Sequence, residues 1–246
     1  MSGYLTHWPV DLRSDDSITV YVWPDQSLSD TKYIPKYLID IKQSDYVTTT
    51  RPMQLRRDAY LAMYKMALQL YADTGLPLHI VSAYRSHSYQ STLYHLLANP
   101  NLSARAWHSE HQLGLAIDVY GLSNATFTND TDASIIYARL KQYAHHYGRH
   151  ESYQKGLEID GYHPEKRHRR YLGTPLATWL YHHDQTFTEY YYDYIKTQDP
   201  QTNIRTSKPY RFSSRTYVAP ASYKPATPLI PSSEPTLQEQ LWMRPL

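Results

Sequence analysis

The stretch WHSEHQLGLAID, residues 107–118, sets an imidazole at His111 and a carboxylate at Asp118 on either side of Gly114. Both are metal-ligand types, and two ligands of one zinc ion each lie ~2 Å from it, so their donor atoms must come within a few ångströms of each other. Their spacing forbids that in a regular element: a helix would separate the pair by about 10 Å along its axis, and a strand by more than ~20 Å. The chain must bend between them, and Gly114 tolerates the backbone angles of such a bend. A surface His and an Asp capping a turn would leave the same string. Further on, DGYHPEKRHRRYLG supplies Glu165 and His168, an E-x-x-H spacing that sets a carboxylate and an imidazole on the same side of a helical turn or tight loop. Three protein ligands with a fourth position left to water make a catalytic zinc site. A carboxylate outside the ligand set can take that water's proton and pass it to a leaving amine.

Such a constellation needs elements to hold it. LRRDAYLAMYKMALQLYADTG repeats apolar residues at helical spacing (Leu55, Ala59, Met63, Met66, Leu70) and stops at Gly75, which predicts a helix. LPLHIVSAY reads as a buried strand, and SHSYQSTLYHLLANP as a helix ending at Pro100. LGLAIDVYG alternates, with Leu115, Ile117 and Val119 on one face and Ala116, Asp118 and Tyr120 on the other. Residues 132–148 carry Ile136, Leu140, Tyr143 and Tyr147 at helical spacing, and GTPLATWLYHH offers Thr174 as N-cap with Pro175 at the first helical position. A tyrosine-rich helix is expected within HHDQTFTEYYYDY. Helices with few strands, unevenly mixed, make an α+β domain.

Of the eight glycines, seven lie between Gly75 and Gly173, where packed elements need tight turns, whereas residues 201–246 have none and carry Pro209, Pro220, Pro225, Pro228, Pro231, Pro235 and Pro245. This divides the chain into an N-terminal extension, 1–50, a catalytic domain, 51–200, and an extended Pro/Ser-rich tail, 201–246. Net charge is +2 from 25 basic and 23 acidic residues, which supplies no broad basic field for nucleic acid. KRHRR, residues 166–170, is the one basic string, and Lys166, Arg167 and Arg169 are candidate contacts for anionic polymers or a substrate carboxylate. With no Cys, disulfides, thiol nucleophiles and Cys-based zinc sites are excluded, so a metal must be held by His, Asp or Glu. No apolar run is long enough to span a bilayer, and MSGYLTHWPVDLRSDD lacks the apolar segment of a secretory signal. The expectation is a cytosolic protein or one numbered after a removed leader.

Three segments, SAYRSHSYQ, HSEHQLGLAID and GYHPEKRHRRYLG, occur in the order and approximate spacing of the VanY-type D-alanyl-D-alanine carboxypeptidases, zinc-dependent peptidoglycan peptidases, which the chain resembles over roughly residues 50–195. The resemblance implies a small antiparallel sheet with a central zinc site flanked by helices. It carries the zinc ligands onto His111, Asp118 and His168 and the general base onto Glu165. Arg85 matches the family's arginine and is the candidate to stabilise negative charge on the carbonyl oxygen or to hold a substrate carboxylate, with Gln90 and Ser109 as further substrate contacts. His108 and His163 fall outside the ligand positions, and Glu158 and Asp160 read as loop acids. The implied substrate is a peptidoglycan stem peptide and the implied location extracytoplasmic. L,D-carboxypeptidase and L-Ala-D-Glu endopeptidase activities share these motifs, and a non-catalytic cell-wall-binding zinc protein is the reading from another class. Two departures are evident: Arg167 stands where the family usually has Trp, and Ala83 where it usually has Gly.

Overall fold

The computed structural model describes residues 10–198, apart from 31, 98, 100, 122–123 and 128–130. The Pro-rich tail expected at 201–246 lies outside the described residues. The chain opens with three short strands, β1 (Leu38–Asp40), β2 (Val47–Thr49) and β3 (Gln54–Arg56), before helix α1 (Arg57–Thr74). Then come β4 (Leu78–Ser82), α2 (His87–Leu97), β5 (Ala116–Val119), α3 (Asp132–Tyr143), β6 (Arg149–His150), the single turn α4 (Leu157–Asp160), β7 (His168–Tyr171), α5 (Thr174–His183) and α6 (Phe187–Gln198).

Five strands form the main sheet in the order β2-β4-β5-β7-β6, and β1 pairs with β3 in a separate antiparallel ribbon. The main sheet is mixed, which corrects the antiparallel expectation: β2 runs parallel to β4, while β4–β5, β5–β7 and β6–β7 are antiparallel. The reason is α1, which intervenes between β2 and β4 and carries the chain back to the same end of the sheet, the crossover that parallel neighbours require.

Helix α1 buries Ala59, Met63, Met66, Ala67 and Leu70 and ends at Gly75, whose left-handed φ of 70° closes the last turn. That apolar face packs on Ile80 of β4 and Ile117 and Val119 of β5. The strand period therefore points Asp118 to the opposite face of the sheet. The second long helix is shorter than its periodicity suggests, because α3 gives way to a 3₁₀ turn, Ala144–Tyr147, before Gly148. At α5 the cap is Gly173 rather than Thr174, whose hydroxyl instead donates to the His146 carbonyl at 3.4 Å.

Residues 12–28 contribute to the packing: Leu12 and Tyr21 pack with Leu176, Leu180 and Phe187, while Val20, Val22 and Leu28 pack with Leu113 and Leu115. Tyr21 also stacks on Tyr191 of α6 at 3.8 Å between centroids, so the tyrosine-rich helix uses one aromatic face to hold this segment.

Candidate metal centre

Strand register brings the site together. Asp118 on β5 lies between Ser82 on β4 and His168 on β7, one row across three strands. His111 arrives from the side on a 3₁₀ turn, Glu110–Leu113, capped by Ser109, whose hydroxyl accepts the His111 N–H at 3.3 Å. Gly114 ends that turn with φ 68° and donates its N–H to the His111 carbonyl, which makes the bend that the spacing requires. A side chain at Gly114 would crowd Leu38 and the Arg56 backbone as well as strain the turn.

The donor atoms converge. His111 Nε2 lies 3.2 Å and His168 Nδ1 3.1 Å from Asp118 Oδ1, and all three side chains are buried. Among the described residues, these three form the one group of metal-ligand side chains whose donor atoms lie within 4.8 Å of one another. Each imidazole is fixed from behind. His111 Nδ1 donates to the Ala83 carbonyl at 2.7 Å, and His168 Nε2 donates to Glu110 Oε2 at 2.7 Å. A carbonyl can only accept, so the His111 proton sits on Nδ1 and the Nε2 lone pair faces the centre. Burial, helped by the Arg85 cation, pushes His111 down to about 4, against the pull of Asp118. At neutral pH, then, a lone pair and a carboxylate oxygen face each other with no proton between them, an arrangement that suits a cation. His168 responds oppositely: Asp118 and Glu110 outweigh the burial penalty and raise it to about 9. Metal binding would displace its Nδ1 proton. Two imidazoles and a carboxylate are a borderline-soft donor set that fits zinc.

Glu110 is the residue that sequence reasoning missed. It is buried, accepts from Ser152 Oγ at 2.7 Å, and pairs with Arg170 at 3.5 Å. Burial would raise its carboxyl, but His168 and Arg170 outweigh that and hold it at about 2. Its sequence signal is slight, an acid beside a ligand histidine, because its partner is 58 residues away.

The remaining expected residues fall into place around this centre. The donors lie on a cleft of about 610 Å³ whose lining includes Arg85, Ser109, Tyr153, Glu165 and Arg167. Glu165 sits in the turn before β7, its carbonyl accepting the His168 N–H at 3.1 Å, so E-x-x-H is a tight loop rather than a helical turn. Arg85 donates Nε to Ser82 Oγ at 2.9 Å and Nη2 to Asp118 Oδ2 at 2.8 Å, and its Nη1 approaches Gln90 Oε1 at 3.4 Å. Gln90, read as a substrate contact, is instead fully buried, with its amide nitrogen donated to the Ala104 carbonyl at 2.6 Å, so it reaches a substrate only through Arg85. Arg169, read as an anion contact, is also buried; it donates to the His168 carbonyl and pairs with Glu151 at 3.2 Å. His108 turns away, bonding the Trp23 carbonyl, and His163 lines the cleft outside the cluster. Ala83 has no left-handed backbone, consistent with a side chain at that position.

Comparison with known proteins places this geometry in a family. The VanY family model, D-alanyl-D-alanine carboxypeptidase, matches residues 52–174, half of the chain, a span that holds the whole cluster. The chain belongs to the VanY family. A putative carboxypeptidase of Bacillus subtilis (strain 168), YodJ, is 31% identical over 126 residues, covering 48% of this VanY-family chain and 46% of that protein. The chain thus spans about half the length of this curated relative. Among solved structures, the LdcB LD-carboxypeptidase is 25% identical with a TM-score of 0.63, over 72% of this chain and 87% of that one. The vancomycin-resistance D,D-pentapeptidase VanY, solved as a mutant in complex with Zn(II), shares the fold at 21% identity and a TM-score of 0.52, over 71% and 98% of the two chains.

Proposed function

We propose that this chain is a zinc-dependent peptidase that hydrolyses the terminal D-alanyl-D-alanine bond of peptidoglycan stem peptides. The observation that carries the reading is the His111–Asp118–His168 cluster, buried, with each imidazole oriented from behind, and lining a cleft. His111 Nε2, Asp118 Oδ1 and His168 Nδ1 would hold the metal. When bound, zinc supplies Lewis acidity and brings the pKa of water towards ~7. Glu165 accepts the proton of the attacking water and delivers it to the leaving amine. It is suited to this, since one oxygen, Oε1, is held by Arg167 at 2.6 Å while Oε2 makes no hydrogen bond among the described residues. Arg85 sets Asp118 and places positive charge where the carbonyl oxygen becomes negative. Ser109 sets the His111 turn, and Tyr153, stacked on His168 at 4.8 Å, shields one side of the imidazole from water.

The likeness to LdcB favours L,D-carboxypeptidase activity as the second reading. Because the implied substrate lies outside the cytoplasmic membrane, the proposed location is extracytoplasmic; among the described residues no helix is long and apolar enough to cross a membrane.

The test is separate incubation of zinc-loaded protein with a defined stem pentapeptide and with the corresponding tetrapeptide, followed by mass analysis of the products. Loss of one alanine is expected; cleavage only of the tetrapeptide would favour the L,D reading, and no cleavage with zinc bound would refute both. Glu165→Gln should keep the metal and lower kcat by about 10²–10⁴-fold, the range general bases contribute. His168→Ala should lose both metal and turnover. Equal zinc loss in the two variants would contradict the separate roles given to Glu165 and His168.

A further inference from the structure

Three guanidinium groups line the cleft, and their bonding differs. Arg85 is committed on every nitrogen, to Ser82, Gln90 and Asp118. Arg51 lies over the Tyr89 ring at 5.0 Å and donates to its hydroxyl at 3.2 Å. Arg167 is different. Its Nε donates to Glu165 Oε1 at 2.6 Å and its Nη1 approaches the Gly121 carbonyl at 3.4 Å, but Nη2 makes no hydrogen bond among the described residues. The side chain is 22% exposed, into the cleft. A guanidinium donates in a planar fork that matches a carboxylate, and it stays charged at any working pH. With three arginines against Asp118 and Glu165, the acids among its lining residues, the cleft is positive even before a metal enters it.

Resting on the peptidase reading above, we propose that Arg167 determines specificity: its outward Nη2 takes a second carboxylate of the substrate, carried by a residue on the N-terminal side of the scissile bond. The preferred substrates are therefore acidic peptides with a side-chain carboxylate in addition to the terminal one. Arg85, held by Ser82 and Asp118, serves the scissile region, and Arg167, bonded to Glu165 with one nitrogen uncommitted, reads the neighbouring residue. An arginine that only held Glu165 in place would make no distinction between an acidic peptide and its amide.

The experiment uses zinc-loaded full-length protein and pairs of stem-type peptides, identical except that a side-chain carboxylate at the first or second residue before the scissile bond is replaced by the carboxamide. Wild type should favour the acid at one of these positions by about 10- to 100-fold in kcat/KM, the worth of a charge-assisted hydrogen bond. In Arg167→Gln that ratio should fall to within about threefold of unity, whatever the absolute rates, and Arg167→Lys should keep part of it because the charge remains without the fork. Circular dichroism of both variants confirms that each is folded. A wild-type ratio near one at both positions, or an Arg167→Gln ratio equal to wild type, overturns the specificity role while cleavage of the amide peptides leaves the peptidase reading standing. If wild type cleaves none of the peptides, the peptidase reading itself fails and the proposal with it.

Discussion

Glu110→Gln is the sharpest perturbation of the centre that leaves all three proposed metal ligands in place. Glutamine keeps the volume, and with its amide oxygen in the Oε2 place it can accept from both His168 and Ser152, each at 2.7 Å in the wild type, but the negative charge is gone. Glu110 is held at about 2, so the wild-type charge is present throughout the working range. The charge raises the basicity of His168 and orients its ring, and loss of such a supporting carboxylate weakens metal binding about 10- to 100-fold. That corresponds to about 1.4–2.8 kcal/mol. A second effect acts on the fold, because Arg170 is fully buried and Glu110 is its partner at 3.5 Å. Breaking a buried pair can cost about 3–5 kcal/mol, but Arg170 also donates to the Tyr171, Ile18 and Val20 carbonyls, so about 1–2 kcal/mol is expected. Competition with a chromophoric chelator measures the first effect, and thermal unfolding of the metal-free protein the second. Zinc affinity within twofold of wild type, alongside a clear loss of stability, would refute the orienting role and leave Glu110 as a partner of Arg170 alone.

Two further predictions concern the scaffold. Gly148→Ala should destabilise by about 3 kcal/mol, since the residue has φ 69° and a Cβ there would lie 2.8 Å from the Gly173 carbonyl carbon and 2.9 Å from the Thr174 nitrogen, both backbone atoms; a thermal midpoint within 2–4 °C of wild type would argue against it. Asp160 is raised to about 6, chiefly by burial, and although Oδ2 accepts the Lys155 N–H at 2.6 Å, Oδ1 has no hydrogen-bond partner among the described residues. Folding thus holds the Asp160 proton more tightly than the unfolded chain does, a stabilisation complete below about pH 4 and lost as pH rises through about 6. Asp160→Asn should therefore be more stable than wild type above pH 6, by on the order of 1–3 kcal/mol, with the gap closing below pH 4; a pH-independent difference in urea midpoints would contradict this.

The cluster was legible in sequence in two ways: a glycine between His111 and Asp118 allows the bend that brings those two together, and the family resemblance, not local spacing, joined His168 to them. What could not be read was set by pairing at a distance. Helix α1 is evident from its period, but nothing in the three residues of β2 announces that they run parallel to β4. Val20, Tyr21 and Val22 belong to no regular element, yet all three are buried, because α5, α6 and the 3₁₀ turn at Glu110 leave apolar faces for them to cover. KRHRR looks like a solvated basic string, whereas β7 tucks Arg169 and Arg170 inside, where Glu151, Glu110 and backbone carbonyls receive them. Glu110 stayed hidden for the same reason, since an acid is recognisable as a histidine's partner only once β7 lies beside the turn that carries it.

X-ray absorption at the zinc edge of the loaded protein tests the central claim most directly. One zinc per chain is expected, with two imidazole nitrogens and oxygen donors at about 2.0–2.2 Å. An all-oxygen shell, more than two imidazoles, or failure to take up zinc in a one-to-one ratio would contradict the assignment of His111, Asp118 and His168 as a catalytic metal centre.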